Sequence, residues 1–588
     1  MSERALEGLD ERQREAATAL RGPVCVLAGA GTGKTRVIIH RIAHGVDTGA
    51  YSPNRVMAVT FTSKAAGEMR GRLRALGVAG VAARTFHAAA LSQLNYFWPT
   101  VAGDTAPAIA DNKVRLLAHA ADGIGLRLDT PTLRDVASEI EWRKVTMRSI
   151  DAYAKARPQG VGRLSVDRVV DLQGAYEKLK DERRQLDFED VLLACAGMLE
   201  AEPRVAAEVR EQYRHFTVDE FQDVSPLQHH LLQLWVGDRR DLCVVGDASQ
   251  TIYSFAGADA SYLLDFGSRY PDARVVRLET SYRSDAAILG VANELMRGRP
   301  GALRLQAATD AAPGPVPVAA AYDDDVAEAR GVAASVAAQV REGTDPRRIA
   351  VLYRAHAQSA ELIRALADEQ VPTTVLGGRR FFDMPEVRQA VLALRGASVA
   401  PLSGGFLTAV RDVLRSLGLT EEPPPAGGAL RDAWEARRAL LRLAEEAPEG
   451  TSLRVFTDEL LARAKDQHEP AMRTVTLATL HAAKGLEWDH VHLVGVSEGL
   501  LPISYATTFE QVDEERRLAY VGITRAARSL SMSWSRGNAS RAQRSPSRFL
   551  QEIGNHSLRA VDASANAGAS SPRTQSPSRR SRPARQTR

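Results

Sequence analysis

At 588 residues the chain is longer than one hydrophobic core usually supports, which predicts about three to four structural domains. Its 44% hydrophobic content is ordinary for a soluble protein, and no run approaches the ~18 uncharged apolar residues of a membrane span. The N-terminal string MSERALEGLDERQREAA is too charged for a signal peptide, so neither membrane insertion nor secretion is expected and a cytoplasmic location is. A net charge of +4 says little about partners, and Cys25, Cys195 and Cys243, without any C-x-x-C pair, read as core thiols rather than a zinc site or a disulfide framework.

In chain order, Val24 to Ala28, Arg55 to Thr62, His215 to Phe221, Asp241 to Asp247 and Arg274 to Leu278 are short Val-rich runs ending in polar residues. This is the pattern of parallel strands whose carboxyl ends carry a site. From Leu91 to Arg184 helical periodicity replaces the strand signal, predicting a helical insertion. The second half repeats the strand pattern at Ile349 to Tyr353, Thr474 to Thr479, Val491 to Val496 and Leu530 to Trp534. A helical, Pro- and Gly-punctuated segment from Val387 to about Gln467, containing EEPPPAGG, interrupts it. After Phe549 periodicity disappears, and the Arg-, Ser- and Pro-rich ending SSPRTQSPSRRSRPARQTR is expected to be disordered. The fold class is therefore α/β: one domain over 1–90 and 185–275 with a helical insertion at 91–184, and a second over 276–386 and 468–555 with a helical insertion at 387–467. A tail covers 556–588.

The octapeptide Ala28-Gly29-Ala30-Gly31-Thr32-Gly33-Lys34-Thr35 follows the first apolar run and opens a helix. Glycines there let the backbone N–H groups turn around a polyphosphate, while Lys34 can reach terminal phosphates and the Thr35 hydroxyl can hold Mg²⁺. Ala28 stands where the common pattern has glycine. A turn without a ligand is the competing reading, and Gly-Lys-Thr behind a strand weighs against it. Thr217-Val218-Asp219-Glu220-Phe221-Gln222-Asp223 ends another strand run: Asp219 can hold Mg²⁺ through water and Glu220 can polarise an attacking water. An exposed acidic strand end is the alternative. Gln250 follows Gly246-Asp247 at a third strand end, where its amide can order a water. Asp10 and Gln13 have the spacing of a helix capping box.

VDEFQD, VVGDASQTIYSFAGA, LETSYRS, TLHAAKGLEW and EERRLAYVGITRA, in that order between about Leu9 and Phe549, resemble the UvrD/Rep/PcrA-type superfamily 1A DNA helicases. The resemblance implies two RecA-like domains with insertions called 1B and 2B, and ATP and Mg²⁺ as cofactors. It gives Lys34 the β and γ phosphates, Thr35 and Asp219 the Mg²⁺, Glu220 the role of general base, and Gln250 that of γ-phosphate sensor. Gln13 becomes an adenine reader, Tyr282 and Arg36 the two faces around the base, and Glu487 a ribose contact. Arg283 and Arg525 become γ-phosphate fingers, a role suited to permanently charged planar guanidinium groups. Phe61, Thr62, Thr85, His87, Phe188, Tyr253 and Phe255, with Arg354 and His481 on the second domain, match positions that line a single-strand path. Aromatic stacking there gives grip without sequence preference. On their own pattern Phe61 and Phe188 read more readily as core residues, and Tyr253 and Phe255 read either way.

Three departures stand out. Ala256 occupies a place where many relatives have arginine, and His356 one where asparagine is common. The span from Glu386 to Val475 is short for a 2B insertion, which bears on strand separation more than on ATP hydrolysis or translocation. With GGRRFFDMPEVRQA, this resembles a UvrD-like branch that often carries an HRDC module after a cysteine-bearing linker, whereas this sequence shows the arginine-rich segment instead and no D-Y-K nuclease segment. The expected function is a 3′-to-5′ ATP-dependent DNA helicase or translocase acting on single-stranded and 3′-tailed duplex DNA, with repair or replication proteins as partners and a nucleoid-associated location. The competitors are a translocase that strips proteins with little unwinding, a non-motor DNA scaffold and an RNA-directed helicase.

Overall fold

Strand residues that alternate between two apolar faces build the first sheet. The computed structural model describes residues 4–308, 314–376, 382, 384–398, 405–422, 429–445, 447–448, 450–466, 473–537, 543–554 and 556–563. Six parallel strands, β1 (Val24–Ala28), β2 (Val56–Thr60), β3 (Ala82–Thr85), β4 (His215–Val218), β5 (Leu242–Gly246) and β6 (Arg274–Leu278), lie in the order β3-β2-β4-β5-β1-β6. Val24, Val26, Ala58 and Val245 point to one face and pack with Val37, Ile38, Ile42 and Met69. Cys25, Met57, Val59 and Val244 point to the other, against Phe86, Leu94, Leu192, Leu231 and Trp235. Both faces are covered, as parallel sheets require. All three cysteines are buried and free, as expected.

The helical insertion is present. Helices Lys113–Gly123, Thr130–Val145, Ile150–Ala156 and Val166–Glu182 each start at a side-chain cap, respectively Asn112, Asp129, Ser149 and Ser165. They enclose Leu117, Val136, Ile140, Tyr153, Leu172 and Tyr176.

Two compact units result. The first is Met1–Pro315 with Ala483–Asp489 and Tyr505–Ser529, and the second is Val316–Ala482, His490–Ser504 and Leu530–Arg588. A second sheet, in the second unit apart from the first residues of β11 and β12, consists of β7 (Val318–Tyr322), β8 (Ile349–Tyr353), β9 (Thr373–Val375), β10 (Val475–Thr479), β11 (Trp488–Leu493), β12 (Ala526–Ser535) and β13 (Arg559–Asp562), in the order β9-β10-β8-β11-β12-β7-β13. Val332, Val336, Val351, Tyr353, Leu366 and Leu477 form its core. Its insertion is four helices, Pro385–Ala397, Phe406–Ser416, Ala429–Glu445 and Leu453–Asp466, around Val387, Leu394, Val410, Leu414, Leu440 and Phe456.

Two expectations need correction. The strand β7 was not anticipated, because Val-Ala-Ala-Ala-Tyr lacks the β-branched run that marks a strand. The tail expected to be disordered from residue 556 begins with β13, which pairs in parallel with β7 through Val318↔Arg559 to Ala321↔Asp562 and draws its order from that ladder. Residues 564–588, the Pro-rich 423–428, and 377–381 and 383 of the GGRRFFDMPEVRQA string lie outside the described residues, as does Gln467. No helix among the described residues is long and apolar enough to cross a membrane.

Candidate active site

The first unit brings β1, β4 and β5 side by side, so the loops leaving their carboxyl ends converge. Gly31 and Gly33 take left-handed backbone at φ 75° and 84°, and a Cβ on Gly31 would run into Ser281 and Arg283. Helix Lys34–Asp47 then starts at Gly33 without any side-chain cap, which leaves its first N–H groups for an anion. A cavity of about 360 Å³ opens here, lined by Gly29, Ala30, Gly31, Thr32, Gly33, Lys34, Thr35, Arg36, Arg72, Glu220, Gln250, Tyr282, Arg283, Gly485, Glu487 and Arg525. Arg72, from helix Ser63–Ala75, had no sequence signal beyond its place in a basic run. All these residues belong to the first compact unit.

Thr35 Oγ1 lies 3.4 Å from Asp219 Oδ2, and Asp219 is 4% exposed. Burial, then repulsion from Glu220, pushes the Asp219 carboxyl up. A buried hard-oxygen pair whose negative charge is under-compensated fits Mg²⁺, which accepts one or two protein oxygens and fills its octahedron with phosphate and water. No larger cluster of His, Cys, Asp and Glu able to hold a metal occurs among the described residues.

Glu220 takes φ 52°, a left-handed conformation rare for a residue with a side chain, and the strain aims its carboxylate into the cavity. Burial pushes the Glu220 carboxyl up most strongly, but Lys34, Lys484, Gln222 and Arg525 together hold it down, so it stays ionised, as the expected general base must. Its Oε1 is 3.6 Å from Lys34 Nζ, and Gln222 Nε2 donates to Oε2 at 2.5 Å. Gln222, fully buried, also accepts from the Asp247 N–H at 3.0 Å. It therefore splints two strand ends, a role the reading of VDEFQD missed.

Gln250, 3% exposed, donates to Asp247 Oδ2 at 2.7 Å and accepts from Arg525 at 3.4 Å. Arg525 is itself buried, braced by its own Nε on Val521 O and a terminal nitrogen on Leu486 O, both at 3.0 Å. Burial, then Arg283, pushes Arg525 down to about 9, which leaves it charged at neutral pH. Arg283 donates to Glu487 Oε2 at 2.6 Å, so the carboxylate expected to meet a ribose also steadies the guanidinium expected to meet the γ-phosphate. Gln13 does not line the cavity. It completes the capping box with Asp10 and, 1% exposed, donates to Thr32 O at 2.9 Å, supporting the phosphate loop from behind.

Lys484 is the principal residue that sequence reasoning passed over. Its ammonium pairs with Asp223, donates to Gln250 O at 2.7 Å and sits 4.9 Å over the Tyr253 ring. Glu514 accepts from Ser254 N at 2.9 Å, and Arg517 donates to Thr251 O at 2.8 Å. The loop carrying Tyr253 and the 63% exposed Phe255 is thus strapped down by the segments that bear Glu487 and Arg525.

The strand-path candidates divide. Phe61 and Thr62 follow β2, while Thr85 and His87 follow the neighbouring β3, in register through Thr60↔Thr85. Phe61 is partly buried against the core and edges onto Phe86, as its composition suggested. Thr62 and Thr85 cap the next helices. His87 stacks on Phe188 at 3.8 Å, and burial pushes its imidazole down to about 4. Phe188 is 56% exposed, which overturns its core reading. It stays in place because Asp187, directly before it, caps its helix inside a buried ion cluster. Lys144 Nζ lies 2.7 Å from Asp187 and 2.6 Å from Asp190, with Lys113, Lys180, Glu177 and Glu189 around them. Arg354 and His481 are half-buried in the second unit, at adjacent strand ends, since Tyr353 registers with Thr479. Ala256 and His356 are exposed.

A glycine-rich loop at a strand end, with the carboxylates of Asp219 and Glu220 and the guanidinium groups of Arg283 and Arg525 beside it, is the arrangement of a nucleotide-binding α/β protein, and comparison with known proteins gives its family. Residues 9–271 match the UvrD/REP helicase N-terminal domain, and 276–398 with 435–537 match the UvrD-like helicase C-terminal domain. The chain belongs to the UvrD/REP helicase family, and its two α/β sheets are RecA-like. It is 47% identical over 577 residues to ATP-dependent DNA helicase UvrD2 of Mycobacterium tuberculosis (strain ATCC 25618 / H37Rv), spanning 94% of this chain and 82% of that protein. It is 30% identical over 639 residues to DNA helicase II of Escherichia coli (strain K12), spanning 93% and 88%.

Proposed function

We propose that the chain is an ATP-dependent DNA helicase and single-stranded DNA translocase that moves 3′ to 5′. The observation that carries this is the convergence of Lys34, Thr35, Glu220, Gln250, Arg283 and Arg525 on one cavity, with Lys484 tying it to an exposed aromatic loop. Lys34 would exchange its contact with Glu220 for the β and γ phosphates of ATP. Thr35 and Asp219 would hold Mg²⁺, which neutralises phosphate charge when bound. Glu220, kept ionised, accepts a proton from the attacking water, and Gln250 positions that water. Arg283 and Arg525 meet the charge that spreads over the phosphoryl oxygens, a contribution of ~10³ or more in rate.

DNA would be gripped by Phe61, Thr62, Thr85, His87, Phe188, Tyr253 and Phe255, with Arg354 and His481 on the second unit. Its substrates would be single-stranded and 3′-tailed duplex DNA, in a cytoplasmic, nucleoid-associated repair or replication role. The test pairs ATPase with and without single-stranded DNA against unwinding of 3′-tailed and 5′-tailed duplexes. Equal, slow ATPase from wild type and Lys34→Ala would end the motor reading. The four-helix insertion at 385–466 favours one second reading, a protein-stripping translocase, which predicts DNA-stimulated ATPase with little unwinding.

A further inference from the structure

The cavity offers two groups for a planar base, Arg36 and Tyr282, and both are tethered to the same short turn outside it. Arg36 donates to Gly8 O at 2.8 Å. The Tyr282 hydroxyl donates to Asp10 Oδ2 at 2.5 Å, although the residue as a whole is 50% exposed. Asp10 uses its other oxygen to cap helix Glu11–Thr18, accepting from Gln13 N at 2.7 Å. Gly8 lies in left-handed backbone at φ 71°, and a Cβ there would come 2.8 Å from the Arg36 guanidinium. The turn Gly8–Asp10 therefore sets where both faces of a base slot stand, before any base enters. A half-exposed tyrosine ring without such a tether would sample several rotamers, and ordering it on binding would weaken affinity.

We propose that Asp10 is a positioning residue for the nucleobase: it fixes Tyr282 through the hydroxyl, while Gly8 fixes Arg36, so that the turn acts as a template for an aromatic–guanidinium slot around the adenine of ATP. The assignment rests on reading the cavity as an ATP site. Asp10 holds Tyr282 by the hydroxyl, whereas the phosphate loop meets Tyr282 at the backbone, whose N–H donates to Gly31 O at 2.8 Å, so losing the hydroxyl bond leaves that loop contact in place and acts at the base end of the ligand. Its other link, through Gln13 to Thr32 O, leads to the phosphate loop.

Those two routes separate experimentally. Asp10→Ser keeps a competent N-cap but is too short to reach the Tyr282 hydroxyl, and Tyr282→Phe removes only that hydroxyl. Equilibrium binding of a fluorescent ATP analogue and of inorganic tripolyphosphate is measured on the full chain, with Lys34→Ala as the phosphate-end control. Asp10→Ser and Tyr282→Phe are each expected to weaken the ATP analogue by about five- to tenfold, leave tripolyphosphate unchanged, and show no further loss when combined, whereas Lys34→Ala weakens both ligands. Equal weakening of both ligands would place Asp10 on the phosphate-loop route and overturn the proposal, as would additive losses or no loss for the ATP analogue. Should wild type bind neither ligand, the ATP reading itself fails.

Discussion

Replacing Lys484 by methionine strands a carboxylate. The Lys484 and Asp223 side chains are 10% and 4% exposed, and removing one partner of such a buried pair ordinarily costs ~3–5 kcal/mol. Here an escape limits the loss. Burial already pushes the Asp223 carboxyl up to about 6, against the opposing pull of Lys484, and without that lysine it rises further. At about pH 7.5 the stranded group can therefore take a proton for roughly 2 kcal/mol or less, at about 1.36 kcal/mol per unit between pH and pKa. The sign follows. The wild-type pair is fully charged only above about 6, so Lys484→Met does most damage at high pH and progressively less as pH falls through 6. Urea unfolding followed by tryptophan fluorescence, at about pH 6 and pH 8.5, measures this, with Asp223→Asn/Lys484→Met as the partner variant. The double variant should lose the pH dependence and recover most of the stability. A penalty for Lys484→Met that is the same at both pH values, or unchanged beside Asp223→Asn, would refute the reasoning.

Glu514→Ala frees Ser254 N and loosens the loop bearing Tyr253 and Phe255; the DNA concentration for half-maximal ATPase should rise about three- to tenfold, more than the KM for ATP does. Lys144→Met removes one of the two lysines that bridge Asp187 and Asp190 and leaves Lys180 as the other, so thermal melting should report a loss of ~1–3 kcal/mol, with weaker single-strand binding because Phe188 shifts. The folded state holds His87 down to about 4 while the unfolded chain protonates near 6.5, so acid between those values favours unfolding. His87→Gln should flatten that part of the stability profile, and an unchanged slope between about pH 5 and pH 7 would contradict the burial assigned to His87.

Much of the first sheet was legible because each of its Val-rich strands ends in a residue that serves the site: Ala28 before the phosphate loop, Val218 before Asp219, Gly246 before Asp247. The strand β3, Ala-Ala-Arg-Thr, gave no such signal, since alanine and arginine favour helix and the sheet edge supplies the order. Glycine spacing and strand context marked the phosphate loop. The roles of Gln222 and Lys484 were hidden for a different reason: each acts through partners fixed only by the fold, Gln222 on the neighbouring strand end at Asp247 and Lys484 on Asp223, 261 positions away. The ion cluster under Phe188 was equally opaque, because Lys113, Lys144 and Lys180 sit on three separate helices, each an ordinary charged helix position when read alone.

The first unit is not a contiguous stretch of chain: Ala483–Asp489 and Tyr505–Ser529 return to it from far downstream. A fragment cut after Pro315 would keep Lys34, Thr35, Asp219 and Glu220, yet lack Lys484, Glu487 and Arg525. It would present an open cavity with Asp223 stripped of its cation, and on the proposed roles it could hold a nucleotide but not turn it over. During synthesis the same proposed roles make hydrolysis a late event, one that waits until more than 500 residues have been made and the returning segments have docked.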